Sequence, residues 1–177
     1  YQPPGLYQHL NFPTREYTKD TGAEQYRRGL YTHWQRQFLH PALQTMDAPA
    51  REECTAERPR SNTPLAALVL LNDPCYVEAA RRLAERALEY DAKNENDRLQ
   101  WLSQHALSRN FSVSEVQVLQ QLLHKHLADY ALAPSQAADL LAVGDAPVSH
   151  TVDPVRLAAW TSVTRVVFNM HEFTTRN

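Results

Sequence analysis

The chain is poor in glycine: only Gly5, Gly22, Gly29 and Gly144 occur in 177 residues. All four lie outside the strongly periodic stretches 76–90 and 113–130. All-β chains need many tight turns, and glycine supplies the positive φ those turns demand, so a sandwich or barrel is excluded in favour of helices. Basic charge is short as well. The formal net charge is −2, which leaves no surplus to attract nucleic acid or an anionic membrane. Arginine outnumbers lysine fifteen to three, a bias that by itself marks no partner. No apolar run approaches the roughly 20 residues that span a bilayer, so no transmembrane segment is expected. Cysteine is limited to Cys54 and Cys75. There is no CxxC, no CxxCH haem-attachment motif and no Cys/His set at zinc-finger spacing. The pair reads as two separate thiols, with a disulfide as the alternative in an oxidising compartment. GxSxG, a phosphate-cradling glycine loop, HExxH and an EF-hand loop are all missing. The chain opens on Tyr1 with no signal-peptide pattern, and it is expected to be an excised part of a larger protein.

What is present points to one all-α domain over 1–177, an irregular multi-helix bundle long enough to bury a core without metal or disulfide staples. Residues 1–62 hold six of the eleven prolines. An extended arm is expected at 1–20, because each X-Pro step pushes the preceding residue out of the α region. Leu6, Tyr7, Leu10, Phe12 and Tyr17 would hold that arm to the body. Tyr26, Leu30, Trp34 (or His33) and Phe38 recur at three- to four-residue steps and predict a helix over 22–39. Residues 40–62 read as an ordered, polar, irregular loop.

From residue 63 the helical body runs to 175. Thr63-Pro64, Asp73-Pro74 and Asp153-Pro154 each place a capping side chain before a proline whose missing N–H would be unpaired anyway. Ser112-Val113-Ser114-Glu115 is a capping box. The predicted helices are 64–71, apolar all round and expected to be buried, then 75–90, 96–108, 113–131, 134–142 and 154–170. Their apolar stripes include Val77, Ala80 and Ala84, then Leu99 and Leu102, then Leu119 and Leu123, and finally Leu157, Trp160 and Phe168, all at a 3.6-residue period. Residues 91–97 read as a solvated connection.

The candidate site is the loop from Asp47 to Thr63. Asp47, Arg51, Glu52, Cys54, Arg58, Arg60 and Asn62 bring together carboxylates for acid–base work, arginines that clamp anions, and a thiol that a neighbouring arginine would activate. The same side chains can instead satisfy the backbone of a long irregular segment. On that reading Arg58 or Arg60 is partly buried and paired, whereas Arg82 faces solvent on its helix. The eight histidines lack ligand spacing. His124 and His126 are two residues apart and point about 200° from each other on a helix, so no metal site is expected. Tyr17, Tyr26, Tyr31, Trp34 and Phe38 make an aromatic-rich first third, read as packing surface.

Several stretches resemble a known family. Tyr26-Arg27-Arg28-Gly29-Leu30-Tyr31-Thr32-His33-Trp34, Asp47-Ala48-Pro49-Ala50-Arg51-Glu52-Glu53-Cys54, and above all Arg60-Ser61-Asn62-Thr63-Pro64-Leu65 with Leu68-Val69-Leu70-Leu71-Asn72-Asp73-Pro74 look like the planctomycete-specific domain one. Asn169-Met170-His171-Glu172-Phe173 looks like that family's ending. The likeness runs from about residue 1 to 175 and corresponds to the C-terminal part of a longer domain. Ala66, Cys75 and His171 depart from the family's usual glutamine, threonine-like and aspartate or asparagine residues. The family is a domain of unknown function. The resemblance implies a secreted or periplasmic setting, often with a haem-binding cytochrome c domain and a second planctomycete-specific domain upstream. Partners would then be the missing N-terminal half and those upstream domains, with any haem in a partner domain and none in this fragment.

Two functions follow as expectations. The first is a non-catalytic structural or interaction module of a cytochrome-associated multidomain protein. The second is part of a periplasmic redox or polysaccharide-degrading enzyme with a site at the 47–63 loop. The enzyme needs the charged groups to converge on an open pocket; the module needs them bonded to backbone.

Overall fold

A computed structural model describes residues 5, 7–8, 16, 18–33, 39–50, 52, 54–57 and 63–175. Among them there are eight α-helices and no strand, as the scarcity of glycine demanded. The chain divides into two compact units, Tyr1–Val69 and Leu70–Asn177.

In the first unit the helix expected over 22–39 is not formed over the described residues 22–33. Short 3₁₀ turns occupy Gly22–Tyr26 and Gly29–Tyr31, with Arg27 and Arg28 extended between them. Tyr26, Leu30 and Tyr31 are all more than half exposed. A periodic stripe propagates a helix only when it has a core to face, and glycine at 22 and 29 weakens the local preference further. Trp34 and Phe38 lie outside the described residues, as does most of the 1–20 arm. Within the arm Tyr7 is buried, with its ring edge-on to His33 at 6.3 Å. The stretch expected to be loop contains a short helix, α1 (Pro41–Thr45). Its end is a Schellman turn: Asp47 N–H donates to Gln44 O at 3.2 Å and Ala48 N–H to Leu43 O at 2.9 Å.

The helices that follow are α2 (Pro64–Asn72), α3 (Pro74–Glu89), α4 (Glu95–Leu107), α5 (Val113–Leu132), α6 (Pro134–Leu141), α7 (Pro154–Phe168) and α8 (His171–Thr174). The starts follow the capping signals. Thr63 Oγ1 accepts from Ala66 N–H at 3.2 Å, Asp73 from Cys75 N–H at 2.9 Å and Asp153 from Arg156 N–H at 2.8 Å. Ser112 and Glu115 form the full capping box. Asn94 caps α4 by accepting from Asp97 N–H at 2.9 Å.

Helix α7 is the axis of the second unit, with α3, α5 and α6 packed around it. Leu157, Trp160, Val163 and Val167 are at most 1% exposed and join Leu99, Leu102, Leu119 and Leu123 in one core. Two buried threonines fit there because their hydroxyls donate along their own helix, Thr161 to Leu157 O and Thr164 to Trp160 O, both at 2.8 Å. Helix α2 differs from expectation. Only Leu70 is buried, while Leu65 and Leu68 are more than half exposed. A helix apolar around its full circumference cannot turn every side toward one neighbour. No helix among the described residues is long and apolar enough to cross a membrane.

Candidate functional site

The 47–63 loop is described only in part. Arg51, Arg58, Arg60 and Asn62 lie outside the described residues, so the buried-arginine expectation for Arg58 or Arg60 does too. Glu52 and Cys54 are exposed. Asp47 has φ +56° and occupies the left-handed position of the Schellman turn, a place that glycine usually takes and that aspartate tolerates. Its presence in the loop therefore has a structural cause.

Charged side chains do come together, but on α3. Glu78, Arg81 and Glu85 are each at most 2% exposed, and all three reach the strap between α6 and α7. Arg81 Nη1 donates to Glu85 Oε1 at 3.0 Å and to Pro147 O at 3.1 Å, and Nη2 donates to Ala146 O at 2.6 Å. Glu78 Oε2 accepts from Ala146 N–H at 3.0 Å and also from Asp145 N–H. Glu85 Oε1 accepts from Ser149 N–H at 3.2 Å, and its other oxygen takes Arg82 Nη1 at 2.5 Å. Arg81 Nε is buried without an acceptor. Gly144 permits the approach. Its φ is +97°, and a Cβ there would stand 2.0 Å from Glu78 Oε2.

Two further arginines close helix ends, where the last carbonyls have no partner within the helix. Arg98 Nη1 donates to Tyr90 O at 3.1 Å and to Ala87 O, at the end of α3, and its guanidinium lies 6.0 Å over the Trp160 ring. Arg165 donates through Nε at 2.9 Å and through Nη2 to Leu71 O, near the end of α2. Burial pulls the pKa of both guanidinium groups down.

Arg109, in the turn between α4 and α5, is shared by two carboxylates. Nη2 and Nη1 meet Glu115 at 2.6 and 3.0 Å, and Nε and Nη2 meet Glu172 of α8 at 2.6 and 3.2 Å. The Arg109 hydrogen bond, followed by the Ser112 backbone, pushes Glu115 down to about 2.

The histidines are dispersed. His124 Nε2 sits 3.3 Å from Glu95 Oε2, while His126 stacks on Tyr130 and is pushed down by burial. Among the described residues no three His, Cys, Asp or Glu side chains come close enough to hold a metal ion. Cys75 is half-buried at the start of α3, and its thiol is pushed up by burial and by Asp73, the opposite of nucleophile activation.

Sequence reasoning missed the α3 network, although a signal for it exists. Arg81 falls about 40° and Glu85 about 80° from Val77 on the helical wheel, at the edge of the buried stripe rather than opposite it. Arg82, by contrast, is exposed over half of its side chain, as its position on the wheel requires.

A family model described as "PSD1: Protein of unknown function (DUF1553)" matches residues 2–123. The match covers the stretches between Tyr26 and Pro74 on which the likeness rested, and it stops short of Asn169–Phe173. No curated protein and no solved structure matches the chain.

Proposed function

The chain belongs to the PSD1 family of proteins of unknown function, and from that premise we propose that it is a non-catalytic structural and interaction module. One observation carries the reading. The charged side chains that α3 and α4 bury, namely Glu78, Arg81, Glu85 and Arg98, and the half-buried Arg165 of α7 end on main-chain groups of a strap or a helix terminus. Groups bonded in this way hold a shape. Catalytic acids and bases must instead keep a free face toward a substrate. The setting we propose is a secreted or periplasmic, cytochrome-associated multidomain protein in which any haem sits in a partner domain; the likeness to the planctomycete-specific domain supports it.

The competing proposal is an enzyme part whose site uses the 47–63 loop. Functional sites hold strained or unpaired polar groups at a cost to stability, so truncating them commonly raises the melting temperature. Alanine substitutions at Asp47, Arg51, Glu52, Cys54, Arg58, Arg60 and Asn62 test this by thermal melts. The module reading expects every one to be neutral or destabilising. A rise in melting temperature at two or more of them would transfer the assignment to the enzyme.

A further inference from the structure

We propose that α8 is a stand-in for a partner: Arg109 and Phe168 form a docking site for a peptide segment in which an acidic residue is followed by an aromatic one, and Glu172–Phe173 occupies that site within the chain. The proposal rests on the interaction-module reading and gives the module its ligand chemistry.

The receiving side is held by contacts outside α8. Arg109 follows Ser108, whose left-handed backbone (φ +59°) ends α4. One edge of its guanidinium is fixed by Glu115 at 2.6 and 3.0 Å, and Glu115 is itself held at the start of α5 by the capping box with Ser112. A guanidinium is a rigid five-donor fork. With one edge anchored, the other edge presents Nε and Nη2 to an incoming carboxylate, and Glu172 takes both at 2.6 and 3.2 Å. Phe168, the last residue of α7, supplies the second contact. Its ring stacks on Phe173 with centroids 4.3 Å apart and planes 12° from parallel. An oriented cation and an aromatic face thus read two consecutive side chains, an acid and a ring.

The occupying side is held lightly. Helix α8 has four residues, too few to be stable by itself. It is separated from α7 by Asn169 and Met170, and the backbone of Met170 is extended. Its own backbone bonds close locally, Phe173 N–H to Met170 O at 3.0 Å and Thr175 N–H to His171 O at 3.1 Å. The Thr174 and Thr175 hydroxyls also turn back to His171 O. The ion pair is 36% exposed at Arg109 and 45% at Glu172, so salt screens it. Among the described residues an ion pair that salt screens and a ring stack hold this short segment to the body, and a segment held in that way opens locally far more often than the body unfolds. Each opening frees a carboxylate-binding fork that Glu115 still holds in position, beside an aromatic face. A segment of the same acidic-aromatic chemistry can then replace α8.

The probe is a labelled peptide of the chain's own sequence, acetyl-Met-His-Glu-Phe-Thr-Thr-amide, followed by fluorescence anisotropy on the full chain at low salt. The Glu172→Gln/Phe173→Ala double variant should bind it at least tenfold tighter than the native chain, whose own α8 competes. Replacing the peptide's glutamate by glutamine, adding salt, or adding Arg109→Ala should each weaken binding at least fivefold. Binding that is no tighter in the double variant, or that ignores Arg109, overturns the proposal. Because Arg109 variants also disturb the start of α5, hydrogen exchange on the native chain gives a second measurement. As sodium chloride is raised, residues 171–175 should lose protection while 154–168 keep theirs. Loss of both together shows that α8 opens only with the body and overturns the latch. Either failure leaves the module reading to the alanine scan, which does not involve α8.

Discussion

Replacing Arg81 by methionine is the sharpest test of what holds the second unit together. The substitution keeps the apolar stem and removes the fork. It takes a donor from each of two strap carbonyls, Ala146 O and Pro147 O, and removes one of the two cations that face Glu85. Breaking a buried ion pair by deleting one partner costs about 3–5 kcal/mol. Each stranded carbonyl adds to this only where water cannot reach it, at about 1–3 kcal/mol, and the strap's outer residues Asp145 and Pro147 are exposed. A net loss of about 3–5 kcal/mol is therefore expected, a large part of the roughly 5–15 kcal/mol that stabilises an ordinary domain. With a urea slope of about 2 kcal/mol/M, the unfolding midpoint should fall by about 1.5–2.5 M, read by far-UV circular dichroism and tryptophan fluorescence. Arg82→Met on the same helix should cost at most about 1 kcal/mol, since that side chain is 55% exposed. Arg81→Lys should fall between the two, because it keeps the charge and loses the fork. Equal effects at 81 and 82, or a loss below about 1 kcal/mol at 81, would show that the strap does not depend on this network.

Gly144→Ala should destabilise the same strap by at least about 1–3 kcal/mol for the left-handed backbone alone. The new Cβ would also meet Glu78 Oε2, so a melting temperature within a degree of native would contradict the described approach. The acid response should follow Glu115, whose folded pKa is depressed to about 2 from an ordinary 4.5 by the Arg109 hydrogen bond. A depressed carboxylate stabilises fully above its unfolded pKa, and the contribution is lost as pH falls from about 4.5 toward about 2. The pair is partly exposed, at 36% and 29%, so about 1 kcal/mol is expected. Melting temperatures across that window should converge for native and Glu115→Gln chains as pH drops. A difference that stays constant with pH would refute the assignment.

The part of the fold that could be read from residue order is the run of helices from Pro64 to Phe168. Thr63, Asp73, Ser112 with Glu115, and Asp153 each cap a start at the expected place, and Val77, Ala80, Leu99, Leu119, Leu157 and Trp160 are buried as their periodicity requires. These features are local: a cap meets an amide two or three residues away, and a stripe depends only on the helical repeat. Elements whose fate depends on a neighbour were not legible. Tyr26 and Leu30 have helical spacing but form 3₁₀ turns, and Leu65 and Leu68 are as apolar as Leu70 but stay exposed. The candidate site divides the same way. The loop's polar residues could be named from the sequence, and for Asp47 the turn geometry supplies the reason it is there. Three of the arginines that do structural work among the described residues form long-range pairs: Arg81 with Ala146 across 65 positions, Arg109 with Glu172 across 63 and Arg165 with Leu71 across 94. A guanidinium satisfies whichever carbonyl or carboxylate the packing of distant helices brings within reach. Sequence alone therefore determined the helices between Pro64 and Phe168 and the caps at Thr63, Asp73, Ser112 and Asp153, while only the tertiary structure decided which charges are buried and what they hold.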